Sequence, residues 1–287
     1  MSAGADPQRV LLLVGDPADA VSRALLASPS RLGRPLLALT AEQLLEGVEI
    51  GEAWTVGGRR VDPPRTALVN RLPWGDRLVP GDATVPATMV RQAQWSRLRE
   101  ELGRFGYASS LPTATSVQGC FGSLLDQWQD LPRLVPGLCV PEHAAASVPR
   151  ALRGAVFAVD RWTPYSLGKP LDEASAAGLS PAARLDYVRP EGRLVHLAQV
   201  GDTVFFPNPP PMMTAAQQNA MVGAARALAA VSPMRILEHA FFVGRGEPVL
   251  YSACPVPVLS GGHPLYPEFV LQGLRHDIES RAGRRPR

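Results

Sequence analysis

Short apolar runs, each cut off by Gly or Pro, dominate the first third of the chain. Residues 9–15 read Arg-Val-Leu-Leu-Leu-Val-Gly and stop at Gly15-Asp16-Pro17, the pattern of a strand buried on both faces. A helix is expected over 19–26 and a second buried strand over 35–39. Thr40-Ala41-Glu42-Gln43 then reads as a capping box opening a helix to about Leu45. Further strands are expected at 53–56 and 66–70. Strands alternating with helices predict a parallel, wound α/β sheet. No Gly-x-Gly-x-x-Gly follows the first strand, so a dinucleotide fingerprint is absent. Residues 89–105 predict a helix whose apolar stripe is Val90, Ala93, Leu98 and Leu102.

A helix over 124–134 is ended by Pro136-Gly137, and a short strand, Leu138-Cys139-Val140, meets Pro141. Strands are expected at 155–159, 163–171, 185–188 and 193–199, the last turning at Gly201-Asp202 into 203–206. Asn208-Pro209-Pro210-Pro211 predicts a stiff loop, and 214–230 a Thr-capped, Ala-rich helix. Strands at 237–243 and 248–253 flank a tight turn, Gly244-Arg245-Gly246-Glu247. A helix over 264–275 closes the chain, and no internal repeat is present.

At 287 residues and 46% hydrophobic content, the chain can bury a sizeable core and divide into two or three lobes. The net charge of +3 is mild, and its arginines are dispersed among acids, so neither nucleic acid nor membrane is implied as a partner. The basic tail, Arg281, Arg284, Arg285 and Arg287, reads as a solvated terminus. No apolar run approaches the ~18 residues of a membrane helix, and no signal peptide is recognised at the start, so a cytoplasmic protein is expected. Cys120, Cys139 and Cys254 form no Cys-x-x-Cys, and His143, His196, His239, His263 and His276 show no metal spacing; each reads as structural or exposed. Trp54, Trp74, Trp95, Trp128 and Trp162 are mostly core or interface anchors, with Trp74 placed at a binding surface by its loop. Arg59, Arg60, Arg65, Arg71 and Arg77 either guide an acidic substrate or solvate a surface.

The Ala, Pro and Arg load suggests a GC-rich bacterial genome. Against 28 arginines there is one lysine, Lys169, in Ser166-Leu167-Gly168-Lys169-Pro170-Leu171. A lysine ammonium is a compact point charge suited to one phosphate oxygen, where arginine offers a planar fork. The plainer alternative is an ordinary surface charge.

This order of elements, together with Lys169, resembles the ATP-grasp superfamily of carboxylate–amine and carboxylate–thiol ligases, including its peptide-maturing branch. The resemblance implies an α/β pre-ATP-grasp domain (1–118), a central lid (119–190) and a C-terminal α+β ATP-grasp lobe (191–287). Leu124-Leu125-Asp126-Gln127-Trp128 with Gly137-Leu138-Cys139-Val140-Pro141 resembles the segment entering the ATP-binding lobes. Gly168-Lys169-Pro170-Leu171 resembles the second nucleotide lysine, and Leu185-Asp186-Tyr187-Val188 the hinge, which puts Lys169, Asp186, Tyr187 and Val188 beside ATP. Arg193-Leu194-Val195-His196 with Val200-Gly201-Asp202 resembles the hairpin carrying the arginine near the transferred phosphate, which makes Arg193 the catalytic candidate. Residues 250–257 resemble the Glu-x-Asn-Pro strand.

Ligation through an acylphosphate needs cations on the phosphates, carboxylates on Mg²⁺, and a lid that excludes water. The chain departs from the family at the second requirement. Ser252-Ala253-Cys254 stands where Glu-x-Asn is expected, Ala240 stands for an acidic ligand with Glu238 two residues off, and Gln127 stands near the first lysine. Glu238 is the candidate metal ligand. Two functions follow from the resemblance. One is an ATP- and Mg²⁺-dependent ligase acting on a peptide or small-molecule carboxylate. The other is a degenerate ATP-grasp fold serving as a binding or scaffold partner, as a homodimer or beside an active ligase.

Overall fold

The computed structural model describes residues 9–16, 18–40, 42–44, 48–50, 54–56, 59–62, 65–72, 85–104, 122–145, 152–163, 166–171, 179–209, 212–232, 234–255 and 260–282. Trp74, Arg77, Cys120, Pro210, Pro211, Val256, Pro257 and the arginines after residue 283 lie outside them.

Strands β1 (Arg9–Val14), β2 (Leu36–Thr40) and β6 (Thr66–Arg71) form a parallel sheet in the order β2-β1-β6. β1 reads as an unbroken apolar run because both its faces are covered. Val10 and Leu12 pack toward helices α1 (Ala20–Ala27) and α5 (Tyr266–Ala282), while Leu11 and Leu13 pack toward Trp54 and Trp95. Asp19 caps α1, accepting from the Ser22 amide at 2.8 Å. The predicted capping box is present, with Thr40 and Gln43 exchanging backbone-to-side-chain bonds of 2.9 and 3.3 Å.

Residues 53–56 do not join this sheet. Trp54–Val56 is β4, the centre of a small antiparallel sheet with β3 (Val48–Ile50) and β5 (Arg59–Val61). Two- and three-residue connections cannot carry a parallel crossover, so these strands must pair antiparallel. Helix α2 (Val85–Arg104) also differs from its expected stripe. Among its described side chains Trp95 is the buried one and Val90 and Ala93 are exposed, while the side chains of Leu98 and Leu102 lie outside the described part.

Helix α3 (Leu124–Leu134) opens with a Ser123–Asp126 capping box. The central antiparallel sheet follows, ordered β7-β10-β8-β9, from β7 (His143–Ala145), β8 (Val156–Asp160), β9 (Lys169–Pro170) and β10 (Arg184–Val188). The strand expected over 163–171 shrinks to two residues. Thr163 and Ser166 donate back to Asp160 and Thr163 in successive turns, and Gly168 takes φ +66°.

The last sheet is antiparallel, β12-β11-β13-β14, from β11 (Arg193–Val200), β12 (Thr203–Phe205), β13 (Ile236–Val243) and β14 (Val249–Cys254). Helix α4 (Ala215–Val231), boxed by Thr214 and Gln217, covers one face through Met221, Ala225 and Leu228. Helix α5 runs to residue 282 and returns to the first sheet, where Val270, Leu274 and Ile278 meet Val21 and Leu25. Among the described residues no helix is long and apolar enough to cross a membrane.

Candidate functional site

The face of the last sheet opposite α4 meets the inner face of the central sheet. Strand alternation dictates which side chains fill that interface. β8 sends in Phe157 and Val159, β10 Leu185 and Tyr187, β13 Ala240 and Phe242, β14 Tyr251, and α3 adds Trp128. The rings of Trp128, Tyr187 and Tyr251 contact one another with centroids 5.4–5.6 Å apart, and Phe242 meets Tyr251 edge-on at 5.7 Å. Their polar tips are satisfied within the protein. Tyr187 donates to the Leu167 carbonyl at 2.6 Å, Tyr251 to the Ser166 carbonyl, and the Trp128 indole to the Tyr251 carbonyl at 2.7 Å. Burial pushes the pKa of both phenols up, so they stay neutral donors.

The residues expected beside a nucleotide divide between two faces. Tyr187 points into this cluster. Asp186 and Lys169 both pair with Ala158, so they share the outer face of the central sheet, as does Val188 across from Val156. Asp186 is held by Arg184 through two bonds of 2.7 Å, and that hydrogen bonding raises the Arg184 pKa. Lys169 is exposed at the edge strand.

Gln127, near which the resemblance puts the first lysine, is fully buried and spent on structure. Its carboxamide accepts from the Ala253 amide at 2.8 Å and donates to the Ala253 and Gly122 carbonyls at 3.3 and 3.4 Å. It pairs with β14 as a neighbouring strand would. Trp128 and the Cys139 carbonyl, which accepts from the Leu250 amide at 2.8 Å, complete the cover of this sheet edge. The strand expected at Leu138-Cys139-Val140 is reduced to that one contact, Cys139 with Val249.

Beyond the aromatic cluster lies a buried polar row. Register places Ala240 opposite Ser252 and Glu238 opposite Cys254, so the positions that the resemblance assigns to metal ligands share one face. Glu238 Oε2 accepts from the Ser260 amide at 2.7 Å and from its hydroxyl. His196 Nδ1 stands 3.5 Å from Glu238 Oε1, an ion-pair distance without hydrogen-bond geometry. Burial raises the Glu238 pKa, but His196 and Ser260 together bring it below the ordinary carboxylate value.

This donor set does not fit Mg²⁺. Ala240 offers no ligand, Ser252 no charge and Cys254 a soft sulfur, and Glu238 is engaged by Ser260. Among the described residues no three His, Cys, Asp or Glu side chains converge as a metal site. His196 is the residue that sequence reasoning passed over. It faces this row, while Arg193, three positions earlier, falls on the α4 side with Val195 and Leu197.

Arg71 is likewise occupied. It forks onto Asp19, donating to Oδ2 at 2.9 Å and to Oδ1, and donates to the Pro255 carbonyl at 2.9 Å, tying β6 to the end of β14. Burial alone would raise the Asp19 pKa, but the Arg71 guanidinium and Ser22 hold it below the usual value. Arg193, by contrast, lines an open cleft of about 700 Å³ with Met212, Met213, Gln217 and Arg245.

No protein-family model and no curated protein matches this sequence. Solved structures do match. The macrocyclase MdnC bound with precursor peptide MdnA, from Microcystis aeruginosa, aligns at TM-score 0.69 and 12% identity over 95% of this chain and 99% of that one. The ATP-grasp ligase PsnB complexed with minimal precursor, Mg and ADP gives 0.67 and 16% over 94% and 99%. The L-amino acid ligase from Bacillus licheniformis gives 0.56 and 12% over 98% and 78%. The chain has the ATP-grasp fold over nearly its whole length.

Proposed function

Starting from that fold, we propose that this protein is an ATP-grasp member that no longer transfers phosphate and acts as a binding or scaffold partner in bacterial peptide modification. The observation that carries the reading is the continuous aromatic cluster joining the two sheets that would bracket a nucleotide. Parting them would expose Trp128, Tyr187, Phe242 and Tyr251, at roughly 1.5–3 kcal/mol each, or on the order of 6–12 kcal/mol in all. Millimolar to micromolar nucleotide binding supplies about 4–8 kcal/mol. A base inserted there would rebury part of that surface, yet the bond from the Tyr251 hydroxyl to the Ser166 carbonyl, which crosses between the two sheets, would be lost.

The residues at the ligand positions support the same reading, with Gln127 serving β14 and Glu238 serving Ser260. Partners then include a precursor peptide, a second copy of the chain or an active ligase. The test is phosphate release from millimolar ATP and Mg²⁺, with and without an acidic peptide. Wild type should stay at background. Turnover that requires both metal and peptide would overturn the reading. An active ligase forming an acylphosphate on a peptide or small-molecule carboxylate is the second reading. Its support is the match over nearly the whole chain to structures of ligases, and it would need groups other than Ser252, Cys254 and Gln127 to hold metal and phosphate.

A further inference from the structure

A cleft of about 460 Å³ opens where the strands of the first sheet begin. Arg71, at the other end of β6, is roughly 17 Å away. Among the described residues the cleft is lined by Arg9, Pro35, Leu36, Leu37 and Arg60, two arginines and no acid. Register sets Arg9 beside Thr66 and Val10 beside Leu36, so Arg34, Arg9 and Arg65 stand at the start of three neighbouring strands. Arg60 reaches the same rim from β5. Asp62, half-buried, follows two residues later and forms no ion pair with Arg9 or Arg60. A cleft edged by one sign of charge focuses its field and concentrates counter-ions.

Both cations start from fixed positions, which lowers the ordering cost of engaging a ligand. Arg9 Nη1 donates to the Arg60 carbonyl at 3.1 Å, tying β1 to β5 and orienting that guanidinium. Pro35 is held from the other side, its carbonyl accepting from the Val10 amide at 2.9 Å. Arg60 is anchored by its neighbour. Val61 is fully buried in the cluster of Trp54 and Leu11, and strand alternation turns Arg60 away from it. No other hydrogen bond or ion pair joins either guanidinium to a described residue. Their remaining N–H groups are charged donors without an acceptor. The wall beside them, Pro35, Leu36 and Leu37, is apolar, which lowers the local dielectric and strengthens an ionic contact.

We propose that this cleft is an anion site for a small ligand that carries two or more oxyanion charges close together, a phosphate ester or a polycarboxylate. Its volume lies in the range of small-molecule sites, roughly 300–1,000 Å³, and is too small for a folded macromolecule. A guanidinium meets either group with two parallel N–H donors, and one dianion neutralises both arginines. The site is separate from the expected nucleotide position and does not depend on whether the protein is a ligase or a scaffold. Of the two roles open to Arg60 in the sequence, it takes that of drawing in an acidic ligand.

Calorimetric titrations of the purified protein with inorganic pyrophosphate and, separately, with citrate test the proposal. At least one should bind saturably below millimolar concentration at low salt and weaken as salt rises. The tighter of the two assigns the phosphate or the carboxylate source. Arg60→Ala removes one fork but keeps the carbonyl that holds Arg9, and should weaken that binding about tenfold or more. Arg60→Lys, which keeps the charge and loses the fork, should fall between wild type and Arg60→Ala. Arg226→Ala, at an exposed arginine of α4 outside the cleft, should leave binding unchanged, and so should Lys169→Ala, on the central sheet. Thermal unfolding of each variant confirms the fold. No saturable binding of either anion, undiminished binding by Arg60→Ala, or an equal loss in Arg226→Ala or Lys169→Ala overturns the proposal.

Discussion

Gln127→Lys restores the residue type that the ATP-grasp resemblance expects, and the structure gives its cost. Lysine cannot accept a hydrogen bond, so the Ala253 amide on the edge of β14 loses its partner at 2.8 Å. An unpaired buried amide costs roughly 1–3 kcal/mol. The ammonium would lie in a fully buried position beside the neutral carbonyls of Ala253 and Gly122, adding a desolvation penalty of several kcal/mol. A total of about 4 kcal/mol corresponds to a melting temperature lower by roughly 8 °C in a chain of this size. Differential scanning calorimetry, with and without millimolar MgATP, measures both the loss and any rescue. The expected result is a destabilised protein that nucleotide does not stabilise. A variant as stable as wild type, or one whose midpoint rises with MgATP, would show that the position faces a nucleotide site and would refute the structural role given to Gln127.

Other outcomes follow from the same contacts. Arg71→Ala leaves Asp19 buried without its counter-charge and frees the Pro255 carbonyl, so it should cost about 3–5 kcal/mol in urea unfolding; a cost below about 1 kcal/mol would mean the pair carries little. Gly168→Ala forces a side chain onto the Ala158 carbonyl at φ +66°, and should speed hydrogen exchange at β8 and β9 while leaving β1 protected. His239 is buried and its pKa falls to about 4 from an ordinary 6.5, because desolvation outweighs the attraction of Glu238. The unfolded chain therefore takes up one more proton between those values, and stability should fall there as pH drops, by about 1.4 kcal/mol per pH unit at the steepest. His239→Gln, which keeps a donor toward Gln199 Oε1, should flatten that segment, and an unchanged slope would assign it elsewhere. Glu238 and Asp19, with lowered folded values, contribute stability that is present above their ordinary 4.5 and 3.8 and lost as pH falls through the lowered ones.

The long elements were legible in the sequence because their patterns are local. The apolar run of β1, the Thr214 box of α4 and the Gly201-Asp202 turn all report their own surroundings. The small sheet around Trp54 was not, since three-residue strands have too few positions to show a period. At the candidate site, sequence marked which ligands are replaced at Gln127, Ala240, Ser252 and Cys254, and register shows that the last three share one face. It did not show that Lys169 and Asp186 lie on the opposite side of their sheet from Tyr187, because that depends on pairing with Ala158, remote in sequence from Asp186. The bond of Gln127 to Ala253 and the fork of Arg71 onto Asp19 are tertiary contacts across many residues, invisible to any window.

We propose that the protein's own aromatic side chains fill the interface that a nucleotide would need. Isothermal titration calorimetry of the purified protein with ATP, run with and without Mg²⁺, tests it most directly. The expected result is no saturable heat up to millimolar ATP in either condition. Saturable binding that strengthens with Mg²⁺ would contradict it, and would mean that the two sheets part and that other groups hold the metal.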